Sequence, residues 1–123
     1  MKKNCSEAAS EFFKGMESFS ALKEHIRNSD QVIQFDPGDG EPFYVEIRQG
    51  KVDFGIGQKY PSNFEAGLYI AGDQETLAAL FQGKVSLAEA IYDHKIRIPG
   101  YRKKEPLMVW FSRLLRKGRG LTD

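Results

Sequence analysis

The sequence predicts an α+β domain: a five-stranded sheet with helices covering one face, in the order α-β-β-β-crossover-β-α-α-β-α. Three observations carry this. The stretch from Leu68 to Gly100 writes out a strand, two short capped helices and a second strand with almost no loop between them. Upstream of it, three segments of strand periodicity are separated by turn residues. Amphipathic segments stand at both ends of the chain, so helices flank the strands.

From Ser6 to Arg27, Ala9, Phe12, Met16, Phe19, Leu22 and Ile26 step by three or four and form one apolar stripe of a helix. Gly15 and the serines weaken it, which predicts a break near Ser18 or Ser20. Strands follow at Gln31 to Asp36, Pro42 to Arg48 and Lys51 to Ile56. The turn Asp36-Pro37-Gly38-Asp39-Gly40 joins the first pair, and Gln49-Gly50 makes a tight hairpin of the second. Alternation places Ile33, Phe35, Phe43, Val45, Ile47, Val52, Phe54 and Ile56 on one face and Tyr44, Glu46, Arg48 and Asp53 on the other. The sheet is therefore expected to be apolar on one side only, and helices must cover that side.

Gly57 to Glu65, with Pro61 and Asn63, reads as a crossover to a fourth strand carrying Leu68 and Ile70. Gly72 ends that strand and Asp73 caps a helix on which Leu77, Leu80 and Phe81 share a face. Gly83 supplies a left-handed stop. Ser86-Leu87-Ala88-Glu89 is a capping box, so a second helix starts at Leu87 and buries Leu87, Ala90 and Ile91. Lys95-Ile96-Arg97-Ile98 alternates as a strand. The last helix starts at Glu105 or Pro106 and ends before Gly118, with Leu107, Met108, Trp110, Phe111, Leu114 and Leu115 as a broad apolar stripe.

Length and composition bound the function classes. A chain of 123 residues reads as one domain, 1–123, with 1–6 and 118–123 as frayed ends. Its net charge of +1, 41% hydrophobic and 28% charged residues are ordinary for a globular protein. The lone cysteine, Cys5, cannot form an internal disulfide, no signal segment opens the chain, and no apolar run approaches the ~20 residues that span a bilayer. A cytoplasmic location is the simplest expectation. Charge is unevenly spread: residues 1–94 hold nine Lys or Arg against fifteen Asp or Glu, and residues 95–123 hold nine against two.

No catalytic constellation emerges, so no enzyme, cofactor or metal is expected. His25 and His94 have no partner at metal-ligand spacing and read as structural or solvent-facing. Gly55-Ile56-Gly57 lacks the third glycine and following helix of a dinucleotide loop. Asp36 and Asp39 are explained by their turn, and Cys5 reads as inert. Arg113, Arg116, Lys117 and Arg119 raise nucleic acid as a partner. It is disfavoured because Trp110 and Phe111 fall on the buried stripe rather than on an open stacking face.

The run from Leu68 resembles the C-terminal half of the sterol carrier protein type 2 family, through Leu77, Leu80, Phe81, Gly83, Lys84, Ala90, Lys95, Ile96, Ile98 and Gly100. The segments Val32 to Asp36, Phe43 to Ile47 and Gly50 to Val52 are similar to that family's first three strands, so the resemblance covers roughly residues 8 to 116. The terminus Leu121-Thr122-Asp123 lacks the peroxisomal tripeptide of animal members, which points to a stand-alone bacterial or archaeal type. The resemblance implies non-catalytic binding, and transfer, of a fatty acid, acyl-CoA or sterol-like or isoprenoid molecule in a hydrophobic tunnel between the sheet and the C-terminal helices. Candidate wall residues are Phe35, Phe54, Leu77, Phe81, Ile91, Leu107, Met108, Trp110 and Phe111. Candidates for an anionic head group or membrane surface are Arg102, Lys103, Lys104 and Arg113. The chain departs from the family at Tyr101 to Pro106, where a small-residue segment is usual, and bulky Trp110 and Phe111 would narrow or plug a tunnel. A protein–protein interaction or dimerisation module using the same stripe is the competing expectation, with monomer and homodimer both open.

Overall fold

The computed structural model describes residues 5–15, 27, 30–62, 64–65 and 67–118. Helix α1 (Cys5–Lys14) leads into strands β1 (Asp30–Pro37), β2 (Phe43–Arg48) and β3 (Lys51–Ile56). After a crossover come β4 (Leu68–Gly72), helices α2 (Gln74–Gln82) and α3 (Leu87–Tyr92), β5 (Ile96–Arg97), a 3₁₀ turn at Tyr101–Lys103 and helix α4 (Glu105–Gly118). One five-stranded sheet results, in the order β3-β2-β1-β4-β5. All neighbours are antiparallel except β1 and β4, which run parallel.

Register explains the apolar face. Ile33 lies opposite Val45, Phe35 opposite Phe43, Val45 opposite Phe54 and Ile47 opposite Val52, so the alternating hydrophobes of three strands align in rows. Ile33, Phe35, Phe43, Val45 and Ile47 are buried, Val52 and Phe54 are half-buried, and Ile56 at the sheet corner is 52% exposed. Cys5, Ala8, Ala9 and Phe13 of α1, Leu77, Leu80 and Phe81 of α2, Leu87 and Ala90 of α3, and Phe111, Leu114 and Leu115 of α4 complete one core with that face. In α1 the buried aromatic is Phe13, with Phe12 half-buried beside it at a ring separation of 5.3 Å. The rest of the expected N-terminal stripe, Met16, Phe19, Leu22 and Ile26, lies outside the described residues, as does His25.

The local signals around the helices act as their chemistry dictates. The Asp73 side chain accepts from the Thr76 amide at 2.6 Å and opens α2, and Gly83 closes it at φ 77. At α3 the Ser86 hydroxyl accepts from the Glu89 amide at 3.1 Å while the Glu89 carboxylate accepts from the Ser86 amide at 3.3 Å. Beyond α3, His94 takes the left-handed φ of 58 and its amide donates to the Ile91 carbonyl at 3.0 Å. That histidine is part of a helix stop.

The second face of the sheet departs from the expectation of a simple polar surface. Val32, Gln34 and Tyr69 are buried there, and Gln34 is fully so. The crossover supplies the cover. Gln34 Nε2 donates to the carbonyls of Phe43 and Gly57 at 3.1 Å each, and Gln34 Oε1 accepts from the amides of Lys59 and Tyr60 at 3.0 and 3.1 Å. Every hydrogen-bonding position of the buried amide that matters is thus satisfied. Above it Tyr60 stacks on Phe64 with ring centroids 4.9 Å apart, and Tyr44 meets Tyr60 edge-on. Glu46 accepts from the Tyr60 hydroxyl and from Lys59 Nζ, the latter at 2.8 Å.

Candidate functional site

The nine expected wall residues separate into three groups. Phe35, Leu77, Phe81 and Phe111 are buried in the core. Phe35 meets Phe43, Phe81 and Phe111 at ring separations of 4.7, 5.4 and 5.9 Å, and Phe81 meets Phe111 at 6.4 Å. Aromatic contact therefore fills the space between sheet and helices at this point. Phe54 is half-buried and lines a shallow hollow with Phe13 and Val52 between α1 and β3. Leu107 and Trp110 are half-buried and pack against the core.

Ile91 and Met108 do line an open space. A groove of about 420 Å³ runs between α3 and α4, walled by Leu87, Ala88, Ile91, Tyr92, Met108 and Val109 with Glu105 and Ser112 at its rim. The capping box sets the start of α3 and so presents Ile91 and Tyr92 to the groove. On α4, Met108 stands one turn before Phe111 and two before Leu115, so it packs against the core as well as lining the groove, and Val109 lies beside it on the exposed flank. Tyr92 is 85% and Val109 44% exposed, so apolar surface here faces solvent. Sequence reasoning missed Tyr92 and Val109 because both fall off the helical stripes that mark a core.

The expected head-group cations fall at two places, just before α4 and midway along it. Arg102 and Lys103 are exposed in the 3₁₀ turn, and Lys104 Nζ donates to the Glu65 carbonyl at 2.5 Å. Arg113 is exposed on α4 and borders a hollow of about 360 Å³ with Val109, Ser112 and Arg116. Val109 and Ser112 also border the α3–α4 groove, so a cationic end adjoins the apolar one.

A larger hollow, about 680 Å³, lies at the β5 edge of the sheet and was not foreseen. It brings Asp36, Tyr69, Ala71, His94 and Arg97 together with Ile91. The Tyr69 hydroxyl donates to Asp36 Oδ2 at 2.6 Å, and burial together with that bond pushes the phenol above its ordinary range. No signal in the sequence could mark this cluster, whose members come from four separate elements.

Other titratable groups serve the fold. Burial pushes the Cys5 thiol up to about 11, which leaves it protonated and unreactive at neutral pH. Hydrogen bonds from Lys59 and Tyr60 hold Glu46 below the usual carboxylate range, and the Glu46 bond raises Lys59 in turn. Among the described residues no group of three or more His, Cys, Asp or Glu could hold a metal ion. None of the described helices is long and apolar enough to cross a membrane.

A five-stranded mixed sheet with the described helices against one apolar face, and a groove between the last two of them, defines a small α+β domain. Its fold is that of sterol carrier protein 2. The crystal structure of sterol carrier protein 2 superposes with a TM-score of 0.64 over 94% of this chain and 96% of that one, at 12% identity. Palmitated SCP2L2 from Aedes aegypti gives 0.54 over 85% and 90%, at 17% identity. A double mutant of the sec-alkyl sulfatase PisA1 gives 0.59 over 93% of this chain at 18% identity, and there the chain spans only 16% of the enzyme's length. No family model matches the sequence, and no curated protein matches it.

Proposed function

We propose that this chain is a non-catalytic lipid-binding domain that takes up a fatty acid, acyl-CoA or isoprenoid chain and hands it on in the cytoplasm. The observation that carries the reading is the apolar groove between α3 and α4, whose 420 Å³ falls within the range of small-molecule sites. The likeness to a palmitated domain of the same fold supports it. A chain in the groove gains ~0.8 kcal/mol per buried methylene, so affinity needs no particular polar contact and selectivity for the tail is loose. The rings of Phe35, Phe81 and Phe111 meet one another in the core, so a longer tail that enters the tunnel position has to part them. Arg113, on the hollow that shares Val109 and Ser112 with the groove, and the exposed Arg102 and Lys103 before α4 favour contact with an anionic membrane surface during transfer.

Native mass spectrometry of protein purified without detergent tests this, together with titration of a fluorescent long-chain fatty acid. A co-purified lipid mass and saturable binding are expected. Val109→Lys, at an exposed position on the groove wall, should weaken binding about tenfold or more while leaving thermal unfolding nearly unchanged. Absence of both lipid mass and binding would overturn the reading. One observation favours an interaction or dimerisation module instead: Tyr92 and Val109, from the two walls of the groove, both expose apolar surface. Mass that rises with concentration and falls on Tyr92→Asp would support that module.

A further inference from the structure

Ile91 belongs to two spaces at once, the apolar groove between α3 and α4 and the larger hollow at the β5 edge. Its side chain is a wall of each, and the two spaces differ in chemistry. In the sheet, Ala71 pairs with Asp36 on one side and with Arg97 on the other, so the three form one row across β1, β4 and β5. Neighbouring strands stand about 4.8 Å apart, which puts the α-carbons of Asp36 and Arg97 about 10 Å apart with only a methyl group between them. The result is a notch with a carboxylate at one end and a guanidinium at the other.

Neither charge is spent on the other. Arg97 is exposed and makes no ion pair among the described residues. Asp36 is fixed by the Tyr69 hydroxyl at one oxygen and keeps further acceptor capacity. A purely anionic head group entering here would be drawn to Arg97 and repelled by Asp36. A head group bearing both signs satisfies both ends.

We propose that this notch is the head-group subsite for a zwitterionic single-chain lipid, its anion on Arg97, its ammonium on Asp36, and its tail laid over Ile91 into the groove. The assignment rests on the lipid-binding reading and adds the class of head group. Arg97 presents a planar pair of donors suited to a phosphate, and Ile91, a wall of both spaces, is where the tail would cross the β5 edge of the sheet.

Calorimetric titration with lysophosphatidylethanolamine, lysophosphatidate and monoacylglycerol of the same chain length, all below micelle formation, tests it. The protein should prefer the zwitterion at least tenfold over both others. Arg97→Gln should remove its advantage over monoacylglycerol, and Asp36→Asn its advantage over lysophosphatidate. Circular dichroism checks that each variant folds. Equal binding of all three lipids by the unaltered protein, or a preference that survives both substitutions, overturns the subsite and leaves lipid binding standing. Removal of the preference by Arg113→Gln alone places the head group at the far end of the groove and also overturns it. If no single-chain lipid binds at all, the functional reading itself fails, and the subsite with it.

Discussion

Gly67 has no room for a side chain: a methyl group there would sit 2.0 Å from the Val32 carbonyl oxygen. Backbone cannot give way as a flexible side chain can, so Gly67→Ala should cost roughly 3 kcal/mol or more, read from denaturant midpoints. Asp73 offers a gentler test. Its carboxylate is held below its ordinary value of 3.8, chiefly by the Thr76 amide. Because the folded pKa is the lower one, the stabilisation is present above pH 3.8 and fades as the pH falls through that value towards the folded pKa. Asp73→Ala should therefore lose about 1 kcal/mol at neutral pH and progressively less in acid, whereas Asp73→Asn, a good cap itself, should lose little. Caps such as Asp73, Gly83 and the Ser86–Glu89 box are legible in sequence because donor and acceptor lie within a few residues. Gln34 is not, since the amides it accepts from belong to Lys59 and Tyr60, far along the chain.

Among the elements, the crossover does more than connect strands. It roofs the second face through Tyr60 and Phe64 and is clamped by Glu46. Glu46→Gln should destabilise by about 1 kcal/mol at neutral pH, a modest figure because Lys59 is half exposed and well screened. Since Glu46 is held below its ordinary 4.5, the advantage of the unaltered protein over Glu46→Gln should be complete above pH 4.5 and shrink as the pH falls below it. Helix α4 gives a larger effect. Phe111 is fully buried against Phe35 and Phe81, so Phe111→Ala should cost about 3–5 kcal/mol in chemical unfolding. Periodicity identified the stripe of α4 correctly, yet core and ligand wall share one residue vocabulary. Only the three-dimensional contacts separate Phe111, fully buried on other rings, from Met108, which packs against the core and also lines the groove.

For the molecule as a whole, binding and stability are linked. A lipid present at a hundred times its dissociation constant would add about 2.7 kcal/mol. For a chain of this size that raises the thermal midpoint by roughly 10 °C, and scanning fluorimetry with and without excess fatty acid measures it. The meander, the crossover and the helical pair were legible because each obeys a local period. Strand order was not, because the pairing of β4 with β1 depends on where the helices bury their faces. That pairing leaves the first strand of the sheet in its middle, with Phe35 on one flank beside Phe43 and on the other beside Ile70. As the polypeptide leaves the ribosome, β1 finds β2 at once but must wait for Leu68 to Gly72 before its second flank is closed. Until then an unsealed row of amides and carbonyls, backed by naked phenylalanines, travels with the nascent chain. A ribosome stalled just after β3 would thus carry the species most inclined to clump with its neighbours.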